Sequence, residues 1–473
     1  MPEDCFRDVW PNSGTNRCQI QEQNRTKFPI LEIIVLYLSE NKHDAVMKDY
    51  KHRIMDALLD RKLQAKGAVV IEGPKWCGKT TTAGEVAASK VMLARKDVKE
   101  QFRSLLEIDS DAALGGETPM LIDEWQTVPT LWDSVRCIVD ERQMTGQFIL
   151  TGSAVPDKEA EAEIEHSGTG RFAWLTMRPM TLFESGESNG SVSLSELFLS
   201  PDKILAKNDL KLKDIAFLIC RGGWPMAVGL ADDVALEQAF DYYDAVTKED
   251  ISKVDGVKRA SERVKRLMRS YARHQGTQAS IATLRDDLKN NDSSTLDDST
   301  IYAYLDALRK IFVIEDMPAW NPNLRSKTAI RTADTRYFVD PSIATAALEL
   351  GPADLMHDLN TMGLLFETLC VRDLRVFAES LNGNVYHYRD KNGLECDAVV
   401  HLRGGHYGLV EIKLGGKSLI DDGAATLTAL SNQIDTTRMK APAFKMILTA
   451  TGDYAYRRPE DGVYVVPIGC LRP

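Results

Sequence analysis

The chain has 473 residues, 44% hydrophobic and 27% charged, and its 58 Lys+Arg against 69 Asp+Glu leave a formal net charge of −11. This composition excludes a disordered chain, a fibrous repeat and a uniformly basic packaging protein, and at ~150 residues per domain it predicts about three domains. Eight cysteines (Cys5, Cys18, Cys77, Cys137, Cys220, Cys370, Cys396 and Cys470) form no C-x-x-C pair and have no His at ligand spacing. They point away from a zinc site or disulfide framework and toward a reducing, cytoplasmic compartment.

Residues 1–46 are polar and turn-rich as far as Phe28, with one apolar segment at 31–38 that Glu32 interrupts. That segment is far shorter than the ~20 residues a spanning helix needs, so no membrane residence is expected. The opening residues Met1, Pro2, Glu3 and Asp4 lack the basic and apolar regions of a secretion signal. The segment reads as an optional extension arising from an upstream start site.

Residues 47–190 have the pattern of an α/β domain. An amphipathic helix carrying Ile54, Leu58, Leu59 and Leu63 leads into apolar runs at 68–71, 120–122 and 148–150, separated by helical patterns. Strands alternating with helices predict a parallel sheet. Directly after the first run, Gly73, Pro74, Lys75, Trp76, Cys77, Gly78, Lys79 and Thr80 match G-x-x-x-x-G-K-[ST] without a mismatch, and Thr81 opens a helical run. Backbone N–H groups of such a loop, with the helix N-terminus behind it, cradle the α/β-phosphates of ATP. Lys79 then reaches the β/γ-phosphates and Thr80 places its hydroxyl on Mg²⁺.

The second run ends in Asp123 and Glu124, at the strand edge where open parallel sheets bind ligands. Asp123 is assigned to the Mg²⁺ and Glu124 to the attacking water. The third run ends in Thr151, Gly152 and Ser153. The hydroxyls of Thr151 and Ser153 read either as contacts to the γ-phosphate or lytic water or as turn chemistry. Arg171 and Arg178 follow, each read either as an arginine for the γ-phosphate or as a partner of a surface carboxylate.

Residues 200–350 are dominated by helical periodicity. One helix (Ile281, Leu284, Leu288), a polar turn at 290–294, a second helix (Ile301, Tyr304, Leu305, Leu308) and an apolar strand at 311–314 are the order of a winged helix-turn-helix. Upstream, Lys253, Lys258, Arg259, Arg263, Lys265, Arg266, Arg269 and Arg273 stand against Asp255 and Glu262. Such a face binds double-stranded DNA through its phosphates, or it is a solvated helix surface while the winged module contacts protein.

Residues 355–473 begin with a helix carrying Glu367 and continue as a hairpin turning at Gly404 and Gly405. Side-chain alternation puts Asp397 with Glu395 on one face of its strand, and Glu411 with Lys413 on one face of the next. Two carboxylates, Asp397 and Glu411, with a backbone carbonyl hold Mg²⁺ or Mn²⁺, and Lys413 stabilises charge on a phosphorane. The other reading is a half-exposed strand with solvated charges.

Together, the loop 73–80, the residues 121–129 around Asp123 and Glu124, the run 149–153, Gly170 and Arg171 with the following 177–180, the motif Gly222-Gly223-Trp224-Pro225, and the C-terminal Glu-x-Asp and Glu-x-Lys resemble a widespread group of uncharacterised prokaryotic AAA-type ATPases. In that group a P-loop core precedes a C-terminal domain of unknown function, which resembles the PD-(D/E)XK restriction-endonuclease superfamily. The resemblance spans about residues 47–460. It implies ATP binding by Lys79, Thr80 and Asp123, catalysis by Glu124, and a nuclease centre at Asp397, Glu411 and Lys413. It departs at Trp125, where a smaller apolar residue is usual, and the nuclease-like fold is often kept after its activity is lost. The fold expected is therefore a P-loop α/β core, a helical middle with a winged-helix module, and a restriction-endonuclease-like α/β domain. The function expected is Mg²⁺-dependent ATP hydrolysis coupled to DNA binding and phosphodiester cleavage, in a chain that forms homo-oligomers. The rival is an ATP-controlled interaction switch with an inactive C-terminal scaffold.

Overall fold

The computed structural model describes residues 50–155, 162, 164–253, 257, 259–291, 296–324 and 329–473. The extension at 1–46 lies outside them, as do Lys258, Asp255 and most of the polar turn at 290–294. Among the described residues, no helix is long and apolar enough to cross a membrane.

The helix Ile54–Ala65 buries Met55, Leu58, Leu59 and Leu63, a stripe at helical spacing, and hands the chain to strand β1 (Ala68–Glu72). Four more strands follow: β2 (Ser89–Met92), β3 (Met120–Asp123), β4 (Phe148–Gly152) and β5 (Phe172–Thr176). All pair in parallel, in the order β2-β3-β4-β1-β5. Parallel sheets are buried on both faces, which explains the unbroken apolar runs. Alternate residues serve two cores: Val70, Ile122 and Leu150 pack with Trp132 and Ile138, while Val69, Leu121 and Ile149 pack with Leu59 and Ala83.

This strand order decides which residues meet. Because β1 pairs with both β4 and β5 in parallel, Glu72 lies level with Gly152 and Thr176 at one sheet edge, while Ala68 lies level with Phe148 and Phe172 at the other. The residues that lead directly into β5 therefore sit a full strand length from the end of β1.

After β5 come β6 (Val192–Ser193), β7 (Leu205–Lys207) and a helical region. A seven-stranded sheet then forms from β8 (Gly383–Arg389), β9 (Glu395–Leu402), β10 (Tyr407–Lys413), β11 (Phe444–Thr449), β12 (Tyr454–Arg457) and β13 (Tyr464–Pro467), with the order β7-β12-β13-β11-β10-β9-β8. The helix Lys417–Gln433 provides the crossover between the parallel strands β10 and β11. The last strand, β14 (Leu471–Arg472), pairs with β6.

The hydrophobic core is continuous across the boundaries read from composition, near 200 and 355. Strand β7 completes one edge of the C-terminal sheet, and a single buried cluster runs from Trp224 through Leu267 and Leu305 to Phe366, Val410 and Val466. The middle helices and the C-terminal sheet share this core, and residues 49–473 form one compact unit.

Two expectations for the middle region are corrected. Helices Ser261–Arg273, Ile281–Asn291 and Asp298–Lys310 follow in the anticipated order, but 311–314 is not a strand: Phe312 is left-handed (φ 58°), and only isolated bridges join Ile314 to Phe338 and Met317 to Thr335. The returning segment is used instead to cover the exposed edge of β8, where Ala319 bridges His387 and Ile330 bridges Asp390. Nor is the helix Ser261–Arg273 an open basic face. Lys265 pairs with Asp244 at 3.2 Å, Arg269 with Glu349 at 3.8 Å and Arg273 with Asp287 at 2.6 Å. Arg259 is buried, donating to the Ile251 carbonyl at 2.7 Å, while Arg263 and Arg266 remain exposed.

Candidate functional site

The loop 73–80 leaves β1 at the sheet edge just described and enters the helix Lys79–Val86. Gly73 has φ +151°, and a Cβ there would lie 2.1 Å from the carbonyl oxygen of Met177, so no side chain fits. The back of the loop is held by Arg53: Nη1 donates to the Cys77 carbonyl at 2.7 Å, Nη2 to the Arg178 carbonyl at 2.8 Å, and Nε to Glu184 at 3.0 Å. Arg53 was missed by motif reading because it precedes the loop by twenty residues; its only sequence signal is a charge opening an amphipathic helix. Lys75 reaches Asp250 in the middle region at 2.6 Å, and Trp76 is exposed with φ 66°.

Lys79 is buried, its ammonium donating to the carbonyls of Gly73 at 2.9 Å and Pro74 at 2.7 Å. Thr80 donates its hydroxyl to Asp123 at 2.7 Å, and Thr151 donates to the same oxygen, Oδ1, at 2.6 Å. The second carboxylate oxygen of Asp123 is left unused by both. A hydroxyl and a carboxylate at this spacing, behind a lysine-bearing phosphate loop, are the donor set for Mg²⁺ beside nucleotide phosphates. Residues 73–81 thus fit a nucleotide triphosphate, with Thr80 and Asp123 fitting its metal.

Glu124 takes a left-handed conformation (φ 56°, ψ 45°), a sparsely populated region for a residue with a side chain. Its carboxylate accepts the Ser153 hydroxyl at 3.0 and 2.9 Å and the Gln126 amide at 2.5 Å. Ser153 therefore touches Glu124, at the edge where β4 ends. Trp125 is buried against Trp132, with ring centroids 5.0 Å apart, and the departure from a small residue is absorbed in packing.

The arginines fall elsewhere. Arg171 lies at the start of β5, the sheet edge opposite the phosphate loop, and makes a bidentate pair with Asp140 at 2.7 and 3.0 Å. It cannot reach a nucleotide held by its own subunit's loop, because the parallel register puts a whole strand between them. Arg178 joins Glu315 at 2.6 Å and Glu379 at 2.8 Å, tying the segment after β5 to the rest of the chain.

The C-terminal residues do converge. Asp397 on β9 accepts the Ile412 amide at 2.7 Å and Lys413 at 3.2 Å, and Lys413 also lies 2.7 Å from Glu411. Glu411 is 3% exposed and its Oε1 has no hydrogen-bond partner, so a solvated strand does not describe this face. Burial, with the Asp397 charge adding to it, pushes the Glu411 carboxyl well up. Glu367 accepts the Tyr337 hydroxyl, and burial followed by the charge of Asp397 raises it to about 8. Burial lowers the Lys413 ammonium, but the carboxylates of Asp397 and Glu411 outweigh it and hold the group protonated. Among the described residues, no group of three or more His, Cys, Asp or Glu side chains is spaced to hold a metal ion. Asp397 and Glu411 are instead two carboxylates bridged by a lysine.

Comparison with known proteins agrees with the first centre. Residues 65–185 match the family described as AAA domain, residues 212–354 a domain of unknown function (DUF8612), and residues 362–471 another (DUF4143). Residues 65–185 thus resemble an AAA domain, and the two regions that follow match families with no described function. Over 360 residues it is 25% identical to an uncharacterized protein of Mycobacterium tuberculosis and to one of Mycobacterium bovis, covering 76% of this chain and 72% of each. A Walker-type ATPase of Pyrococcus abyssi aligns over 64% of this chain and 97% of its own at 13% identity and a TM-score of 0.39. The ORC2 protein of Aeropyrum pernix aligns over 57% and 90% at 12% identity and a TM-score of 0.27.

Proposed function

We propose that the protein binds ATP with Mg²⁺ on the loop 73–81 and hydrolyses it. The observation that carries this reading is the convergence of Thr80 and Thr151 on Asp123 next to a Glu124 held in a left-handed conformation. Lys79 holds the β/γ-phosphates, Thr80 and Asp123 hold the metal, and Glu124 polarises the attacking water. Ser153 positions Glu124. When bound between Thr80 and Asp123, a divalent metal would supply neutralisation of the phosphate charge. Glu124→Gln keeps the geometry but removes the base. Turnover should fall by about 10² to 10⁴-fold while ATP binding by equilibrium dialysis is retained. Undiminished hydrolysis would remove Glu124 from the mechanism. Sedimentation of the Glu124→Gln protein with ATP tests whether copies assemble and so exchange an arginine at the γ-phosphate.

A second activity, cleavage of phosphodiester bonds in nucleic acid, rests on the buried Asp397, Lys413 and Glu411 cluster. Its unpartnered Glu411 oxygen and the Asp397 carboxylate, with a main-chain carbonyl, fit a divalent cation, Mg²⁺ or Mn²⁺. Lys413 would then stabilise charge on the phosphorus centre. The test is cleavage of circular double-stranded and single-stranded DNA with either ion, with and without ATP, comparing wild type and Asp397→Ala. Loss of cleavage in the variant supports the reading; absence of cleavage in an ATP-hydrolysing wild type leaves the nucleotide-controlled switch.

A further inference from the structure

Beside the C-terminal centre, an open groove of about 590 Å³ runs between the helical middle and the end of β8. His274, Gln278, Thr283, Arg331 and Arg389 are among the residues that line it. Gln278 and Arg389 also line a recess of about 40 Å³ that ends on Tyr337, Glu367 and Asp397. The groove and the recess therefore adjoin at these two residues, and the groove part has no carboxylate among its lining residues.

The groove is rich in donors without acceptors. Arg331 is exposed and has no ion-pair partner among the described residues; its main-chain amide donates to the Arg389 carbonyl at 2.9 Å, which fixes the two arginines side by side. Nε of Arg389 is buried without a hydrogen-bond partner, as is Nε2 of His274. The guanidinium of Arg389 pairs with Glu395 at 3.5 Å and stays 39% exposed. Two guanidiniums, hydroxyls and an amide, with no carboxylate until the recess, select an anionic chain whose charge is spread along its length. The recess has room for about one water, so a bound chain lies in the groove itself, with Asp397 beyond the recess.

We propose that this groove is the binding site for a single strand of nucleic acid, gripped through its phosphates by Arg331 and Arg389 and turned by Gln278 toward Asp397. The proposal rests on reading the Asp397 centre as a phosphodiesterase. It also moves nucleic-acid contact from the helix Ser261–Arg273, whose basic residues are largely paired, to the junction of the middle and C-terminal regions.

The test is fluorescence anisotropy of a labelled 12-nucleotide DNA strand on full-length Asp397→Ala protein across a salt series. The parent should prefer the strand to a blunt duplex of the same sequence. Arg331→Glu with Arg389→Glu should weaken binding at least about tenfold and reduce the slope of log K against log salt by about 1.4, at about 0.7 per phosphate contact on a single strand. Arg263→Glu with Arg266→Glu should leave both unchanged. Unaltered ATP hydrolysis shows that the variants fold, and Arg331→Gln alone, at an exposed position, should still lower the slope. The proposal is overturned if the groove variants bind the strand as the parent does, if the duplex is preferred, or if a polyglutamate peptide competes as well as DNA. Strand binding that depends on the groove, without Asp397-dependent cleavage by wild type, removes the phosphodiesterase reading and leaves the binding site standing.

Discussion

Thr151, on the strand inserted between β1 and β3, donates its hydroxyl to the same Asp123 oxygen that accepts from Thr80. Asp123 and Thr151 are register partners across β3 and β4, so the contact follows directly from strand order. The pair orients the carboxylate before any metal arrives. Removing an outer partner of a metal ligand typically costs about 10- to 100-fold in metal affinity. Thr151→Val should therefore raise the Mg²⁺ concentration needed for half-maximal ATP turnover by that order, and Thr151→Ser should restore it. A Mg²⁺ titration unchanged in the valine variant would show that Thr151 only packs.

Arg178 supplies one guanidinium to two carboxylates, Glu315 and Glu379, that belong to other parts of the chain. Its side chain is 11% exposed, so removing it strands Glu379 and leaves Glu315 with Arg375 alone, at 3.5 Å. Arg178→Met should destabilise the protein by about 3 kcal/mol, measured by urea unfolding, because breaking one partner of a buried pair leaves uncompensated charge. Arg178→Lys should recover only part of the loss, since an ammonium cannot make the same fork.

Glu315 gives that junction a pH dependence. Burial acts to raise its pKa, but the guanidiniums of Arg178 and Arg375 outweigh burial and lower it to about 2, from an ordinary value near 4.5. The folded state thus binds this proton less readily than the unfolded chain does. The stabilisation is fully present above about pH 4.5 and is lost as pH falls toward 2. Wild type should lose thermal stability across that window, and Glu315→Gln, less stable at pH 7, should show a flatter acid limb. Parallel acid limbs would mean that other carboxylates carry the effect.

Gly223 lies where a Cβ would stand 2.1 Å from the Met180 carbonyl oxygen and 2.8 Å from its nitrogen. The Met180 amide donates to the Gly223 carbonyl at 2.6 Å, so the motif 222–225 clasps the segment that leaves β5. Gly223→Ala should cost about 1 to 3 kcal/mol in unfolding free energy by overpacking. Because the clasp ends with Pro225 close behind Gly78, ATP affinity in isothermal titration should weaken as well. A variant with wild-type stability would refute the clasp.

The phosphate loop, Asp123 with Glu124, and the hairpin bearing Asp397, Glu411 and Lys413 were legible in the sequence, because each is a local pattern. Spacing within a loop or along two strands joined by a turn is fixed by backbone geometry over a few residues. What Arg53 and Thr151 touch was not legible, since it depends on which strands become neighbours. The strand order placed Thr151 on Asp123 and put Arg171 at the wrong edge for the phosphates.

Burial separated the remaining alternatives. Alternation along β10 assigned Glu411 to a polar face, but only packing by the helix Lys417–Gln433, whose Gly423 lies against the Glu411 Cβ, made that face dry. Likewise the basic run at 259–273 is plain in the sequence, whereas its neutralisation by Asp244, Asp287 and Glu349 comes from helices distant along the chain. By itself, then, the sequence determined the chemistry available at each local motif. Which charges face solvent, which meet, and which are already paired was decided by tertiary structure, because Coulomb and desolvation energies depend on neighbours that chain order does not fix.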